Sequence, residues 1–240
     1  MKRLTLSSLL ALGILVGCST SDQNVPDIQP SELYQEASVA LNEARWLTAI
    51  EKLEALDSRY PFGPYSEQVQ FDLIFAYYKN ADYALTNASI DRFLRMYPGH
   101  IKTDWIIYMR GLTHMAQDNS VVHQILRVDR NDRDPEPVRR AFADFKLLLE
   151  NYPDSTYAAD AKQRMIALKN RLANYELAAV DFYLRREAWV AVINRSQQIQ
   201  RDFPDTEAAR KSLPFMLRAY QELGLVEPAK NTQQLIELNR

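Results

Sequence analysis

The sequence predicts an all-α fold, a superhelical stack of about five helix pairs, on three observations. Beyond residue 30, apolar side chains recur at helical spacing almost without interruption. Only six glycines occur in the 240 residues. An aromatic-proline pair recurs four times, as Tyr60-Pro61, Tyr97-Pro98, Tyr152-Pro153 and Phe203-Pro204. Proline disfavours the α conformation in the residue before it, so each pair should close a helix.

The elements follow from that punctuation. Leu33, Ala37, Ala40 and Leu41 form the apolar stripe of a first helix. Trp46, Ala49, Ile50, Leu53 and Leu56 form that of a second, which ends at Pro61. Fifteen residues before each proline stands a large or branched apolar residue, Trp46, Tyr83, Val138 or Trp189, and a helix fills each interval. Pro153-Asp154-Ser155 and Pro204-Asp205-Thr206 each offer a hydroxyl N-cap for the helix that follows. A helix pair closed by proline, at about 34 residues per unit, is the tetratricopeptide pattern. Aligned on Pro61, it puts Ala37 and Ala49 at the two positions where paired helices cross closely. The first two prolines are 37 residues apart and fit one unit, while the later gaps of 55 and 51 require insertions. One is the polar stretch from about Gln117 to Pro137, the other a lengthened helix from Thr156 to about Arg185. Thr206 to Asn239 reads as a fifth pair, with Gly224 at its turn. Each unit buries its face on its neighbours, so residues 30–240 should form one continuous solenoid.

Ahead of the solenoid the chain reads as an export and anchoring segment. Lys2 and Arg3 precede an uncharged run from Leu4 to Val16, the plan of a signal peptide over residues 1–17. The run is too short to span a bilayer core, which takes roughly 20 residues. It ends in Leu15-Val16-Gly17-Cys18, which resembles a bacterial lipobox and marks Cys18 for lipidation. Cys18 is the only cysteine, so its sulfur has no intramolecular partner even in an oxidising periplasm. A single acyl chain anchors only marginally, and the lipobox resemblance implies a diacylglyceryl group plus an N-linked chain such as palmitate. Ser19 rather than Asp follows the cysteine, which by resemblance to enterobacterial sorting signals favours the outer membrane. Residues 18–29 then make a lipidated flexible tether, spanning about 18 Å as a coil.

Composition narrows the function classes. Without Lys2 and Arg3 the chain holds 27 of its 29 basic residues against 31 acidic ones, a formal charge of −4, so no nucleic-acid partner is expected. His100, His114 and His123 show no metal-binding spacing and read as core or surface residues. Asp129 to Asp134 interleaves arginines with acids and lacks the glycine and closing glutamate of a calcium loop, so it reads as a self-paired loop. No phosphate loop, GxSxG elbow or cysteine nucleophile occurs. The expectation is a binding protein that is not an enzyme and uses no cofactor, metal or catalytic residue.

Two surfaces stand out. The first helix of each tetratricopeptide pair lines the concave groove, at the second, fifth, ninth and twelfth positions of the repeat. Gln68, Phe71, Phe75 and Tyr78 take those positions in the second unit, and Trp105, Tyr108, Leu112 and Met115 in the third, with Gly111 as the small packing residue. Tyr34 and Leu41 take two of them in the first unit. Either tight coiling buries these rings against neighbouring helices, or they form a groove for extended, aromatic-rich peptide segments. The stiff turn with Tyr60, Phe62 and Tyr65 between two prolines adds three rings, as a hydrophobic staple or as ligand contacts. In the second half, Arg185, Arg186, Arg195 and Arg201 gather around a helix with Trp189, Val192 and Ile193, a solvated face or a rim for an acidic partner.

Five stretches carry a family resemblance: residues 59–66 (RYPFGPYS), 77–82 (YYKNAD), 108–112 (YMRGL), 128–135 (VDRNDRDP) and 189–195 (WVAVINR). Together they resemble the BamD family, lipoproteins of the β-barrel assembly machinery in the Gram-negative outer membrane. The resemblance implies a non-enzymatic factor on the periplasmic side that helps fold and insert outer-membrane β-barrels. Its implied partners are BamA, other lipoproteins of the complex and unfolded barrel proteins with aromatic-ended signals. It also implies a division of labour: residues 30–118 bind substrate, 119–137 form an inserted loop, and 138–240 dock the partner, with Arg195 in the segment that contacts BamA and Arg185 and Arg186 nearby. The competing expectation is a periplasmic tetratricopeptide lipoprotein that scaffolds cell-wall enzymes, which shares anchor and fold but does not predict these stretches.

Overall fold

The computed structural model describes residues 28–118 and 134–239, and among them the fold is all-α. The helices are α1 (Pro30–Asn42), α2 (Trp46–Arg59), α3 (Ser66–Lys79), α4 (Tyr83–Met96), α5 (Thr103–Asp118), α6 (Glu136–Asn151), α7 (Ala158–Leu184), α8 (Trp189–Asp202), α9 (Glu207–Glu222) and α10 (Val226–Leu238). Each packs on the next, and α7 also packs on α9. Cys18 and the segment Asp129 to Arg133 lie outside the described residues. Pro30 opens α1 at a position where its missing N–H costs nothing. Glu136 and Pro137 begin α6, so the polar insertion ends two residues sooner than its composition suggests.

Two turn designs alternate along the chain. Between units, the carbonyl of the aromatic before each proline accepts from the N–H three residues on: Tyr60 from Gly63 at 3.0 Å, Tyr97 from His100 at 3.3 Å, Tyr152 from Ser155 at 3.0 Å and Phe203 from Thr206 at 3.1 Å. Proline is favoured at the second position of such a turn because its ring pre-sets φ. Within four of the pairs, the residue two before the second helix is left-handed: Ala44, Ala81, Glu187 and Gly224, at φ 55, 60, 55 and 69°. The residue after each donates back to the carbonyl five positions earlier, Arg45 to Ala40 at 2.8 Å and Asp82 to Tyr77 at 2.9 Å for example. That is the Schellman closure, which satisfies carbonyls the helix end would leave unpaired.

Side-chain capping is sparse. Asp82 accepts from the N–H of Leu85 at the start of α4, and the Thr206 hydroxyl accepts from that of Ala209 at the start of α9, as Pro204-Asp205-Thr206 predicts. Ser155 departs from its expected role. Helix α7 starts later, at Ala158; the Ser155 hydroxyl accepts from the Tyr157 N–H at 3.2 Å, ahead of the helix, and donates to Asp104 at 2.6 Å, joining the third inter-unit turn to the start of α5.

The core runs through the stack as four successive apolar clusters, centred on Leu53 and Leu73, on Ile74 and Phe93, on Phe145 and Leu148, and on Val192 and Met216. Ala37 and Ala49 are fully buried, as a close crossing of α1 and α2 requires. Gly111 is small for a specific reason: a Cβ there would stand 2.6 Å from the ring of Phe145. Beside it, Arg110 and His114 of α5 both bond the buried carboxylate of Asp144 on α6, each at 2.7 Å, which identifies His114 as a core residue.

Candidate peptide groove and docking rim

The aromatic side chains predicted to line the groove divide into two sets. Tyr34, Phe71 and Tyr108 recur at intervals of 37 residues on α1, α3 and α5. Each is covered by the fourth residue after the next inter-unit proline. Tyr65 stacks on Tyr34 with ring centroids 4.6 Å apart, the Lys102 ammonium lies 5.0 Å over the Phe71 ring, and Tyr157 stacks on Tyr108 at 4.7 Å. The Tyr34 hydroxyl donates to Asp72 at 3.0 Å, and that of Tyr108 to Asp160 at 2.6 Å. These three rings are staples between units. Phe71 in particular is only 6% exposed and packs with Phe93 and Trp105, so most of its ring serves the core.

The open set is Phe75, Tyr78 and Trp105. Phe75 and Trp105 face a cleft with about 380 Å³ of open space, whose walls also include the edge of Phe71, Gln68, Asp72, Lys102, Asp104 and Tyr157. Tyr78 continues the same face of α3 one turn on and packs with Trp105 and Leu112 on the core below. All three rings are half-buried. Such rings offer stacking faces already fixed in place, so little side-chain entropy is lost when a ligand docks. Beside them, the carboxylates and the Gln68 amide oxygen can accept from the N–H groups of an extended chain. The Tyr157 ring was not among the residues that sequence reasoning picked out. Its signal was Tyr65, which holds the same place after the first proline.

Electrostatics at the cleft follow from burial. Desolvation raises the Asp72 carboxyl above its ordinary range, against the hydrogen bonds from Gln68 and Tyr34 that favour its charge. Burial and then Asp72 push the Tyr34 hydroxyl up to about 12, so it stays a donor. At the third staple, hydrogen bonds from Arg164 and Tyr108 hold Asp160 below its ordinary value.

The turn rings lie apart from the cleft. Tyr60 and Tyr65 line a small hollow with Pro30, Leu56 and Gly63, whereas Phe62 projects from the turn at 97% exposure.

At the other end of the chain, the four arginines of the expected basic face all have partners within the chain, Arg201 with the neighbouring Asp202 at 3.4 Å. Arg195 on α8 donates to Glu176 on α7 at 2.9 Å, and the Glu176 side chain is 4% exposed while that of Arg195 is 40% exposed. Arg139 of α6 approaches the other oxygen of Glu176 at 3.8 Å. Arg185 pairs with Asp181, and the Arg186 guanidinium lies 3.6 Å over the Phe182 ring. Only Arg195 therefore joins a buried network, and it does so with its outer surface still in solvent.

Comparison with known proteins gives a consistent result. Residues 26–235 match the family described as outer membrane lipoprotein. The chain is 65% identical over 239 residues to the outer membrane protein assembly factor BamD of Vibrio cholerae, covering all of this chain and 99% of that protein. It is 38% identical over 240 residues to the BamD of Pasteurella multocida, covering all of this chain and 92% of the relative. It is 35% identical over 239 residues to that of Neisseria meningitidis serogroup A, covering 98% of this chain and 90% of the relative. Among the described residues, no helix is long and apolar enough to cross a membrane.

Proposed function

The chain belongs to the BamD family of outer membrane lipoproteins and acts in outer membrane protein assembly, and from that premise we propose that it works by binding rather than by catalysis. Its open cleft takes extended, aromatic-bearing segments of unfolded outer-membrane β-barrel proteins. The Arg195 side of the stack docks the periplasmic part of BamA, in company with the other lipoproteins of the complex. Lipid on Cys18 holds the protein to the outer membrane, facing the periplasm.

One observation carries the substrate reading. Phe75 and Trp105, from two successive units, share a single cleft with hydrogen-bond acceptors along its walls. An unfolded barrel strand alternates side chains and presents backbone N–H groups, so it can use both features at once. The aromatic staples give this cleft fixed walls, and the division of labour between residues 30–118 and 138–240, joined through 119–137, belongs to the same proposal.

The test is binding of a synthetic peptide ending in a barrel-type aromatic signal. Phe75→Ala and Trp105→Ala should each lower its affinity roughly ten-fold, the effect of losing one anchoring ring. Circular dichroism should remain that of the parent. Unchanged affinity in both variants removes the cleft from substrate binding.

A further inference from the structure

The geometry points to a lipid surface as the partner of one edge of the stack, the edge formed by the start of α1 and the first two inter-unit turns. The inference rests on the lipid anchor proposed above and goes beyond it, because it states which part of the protein the membrane touches.

The edge is continuous. Pro30 lines the same hollow as Tyr60, Gly63 and Tyr65, so α1 begins against the first inter-unit turn. His100, in the second turn, bonds Glu67 at the start of α3 at 2.9 Å. From this edge project the two large apolar side chains most exposed among the described residues, Phe62 at 97% and Ile101 at 90%. Met96, on the last turn of α4, adds a third apolar side chain at 47%. Side chains so fully exposed at neighbouring turn tips stabilise nothing within the chain, and clustered exposed apolar groups mark contact surfaces.

Two observations select lipid as the occupant. The first is where the described chain begins. Residues 19–29 separate Cys18 from Pro30, a length that cannot exceed about 40 Å even when extended. Lipid at Cys18 therefore keeps Pro30, and the turn beside it, near the bilayer. The second is a change in chemistry along the series of turns. The residue after the proline is Phe62 in the first turn but Asp154 and Asp205 in the third and fourth, and Ile101 stands at the end of the second. The turn tips at the anchored end are thus apolar, which suits shallow insertion at the headgroup level, and those at the far end carry acids, which anionic headgroups would repel. The first two units then rest edge-down on the leaflet while the later turns stay clear of it. The cleft beside Phe75 lies just above the bilayer surface.

The experiment uses the full-length lipidated protein in vesicles of phosphatidylethanolamine and phosphatidylglycerol that carry a headgroup-level nitroxide quencher. An environment-sensitive fluorophore is attached to one new thiol at a time, in Phe62→Cys, Ile101→Cys, Leu47→Cys or Asp154→Cys; Leu47 is 71% exposed just beyond an intra-pair turn, at the opposite edge. Flotation reports the anchor separately from the edge. The expected result is flotation of all four proteins, with quenching at positions 62 and 101 at least about three-fold that at 47 and 154. Equal quenching at the four positions in protein that floats overturns the edge contact and leaves the anchor standing. Protein that does not float removes the anchor, and the edge contact with it. A probe at position 62 that ignores the quencher but responds to added barrel peptide assigns Phe62 to a protein partner and overturns the proposal.

Discussion

Phe71 and Phe75 sit one turn apart on α3, both at positions that the repeat assigns to the groove and both on the wall of the cleft, yet Phe71 is only 6% exposed and Phe75 is half-buried. The difference lies in what covers them, and the covering residue belongs to the next turn in the chain. Tyr65, Lys102 and Tyr157 fill that place, and the lysine between the two tyrosines breaks the pattern that would have marked it. Aromatic groove positions were therefore legible, and their exposure was not. The consequence is practical: Phe71→Ala would lose about 3–5 kcal/mol as a buried truncation and confuse binding with folding. Arg195 needs the same care. Because its partner Glu176 is buried, Arg195→Glu would set two carboxylates against each other on one side of a core helix. We expect it to destabilise the fold by about 1–3 kcal/mol, below the roughly 3–5 kcal/mol typical of a broken fully buried pair because the guanidinium is part-solvated and Arg139 stands near. Arg195→Gln, which can still donate, should cost less and is the better probe of BamA docking. Urea unfolding of the three proteins decides this, and identical midpoints for Arg195→Glu and the parent would show that the pair contributes nothing.

At the scale of elements, the aromatic-proline pairs were strong predictors because proline acts through local sterics that tertiary context cannot relax. Helices α2, α4 and α8 begin at Trp46, Tyr83 and Trp189, fifteen residues before their prolines, and the 51-residue gap correctly required the long α7. The intra-pair turns were opaque. Four of them place a residue at positive φ, but three use Ala44, Ala81 and Glu187, which advertise no such conformation, and only Gly224 was readable. A left-handed conformation costs a residue with a Cβ roughly 1–2 kcal/mol, partly offset because glycine loses more backbone entropy on folding. Ala44→Gly, Ala81→Gly and Glu187→Gly should therefore each stabilise the fold by up to about 1 kcal/mol, and they should add approximately because each closes a different helix pair. Thermal melts of the single and triple variants test this. A triple variant that melts no higher than the parent would show that the turns are held by their surroundings at no cost.

For the whole molecule, α7 is the element that makes one body of two halves. Its 27 residues are about 40 Å of helix, long enough to serve two cores in succession. Ala161, Leu168 and Leu172 pack into the cluster around Phe145 with α5 and α6. Ala173 and Val180 belong to the next cluster, around Val192 and Met216 with α8 and α9. The changeover falls between adjacent residues, so the continuity of the helix backbone carries the register from the cleft-bearing half to the Arg195 half. Breaking the helix there without disturbing either core isolates that role. Asn174 is exposed, one residue past the changeover, so Asn174→Pro removes a backbone hydrogen bond and clashes with the preceding turn while leaving packed side chains in place. We expect the parent to unfold in urea as one cooperative transition and Asn174→Pro to unfold in two, the cleft peptide still binding before the second because its walls come from α3, α5 and the start of α7. Asn174→Ala, which keeps the helix, should preserve the single transition. A lone transition in Asn174→Pro, merely shifted to lower urea, would mean that contacts other than the α7 backbone couple the halves.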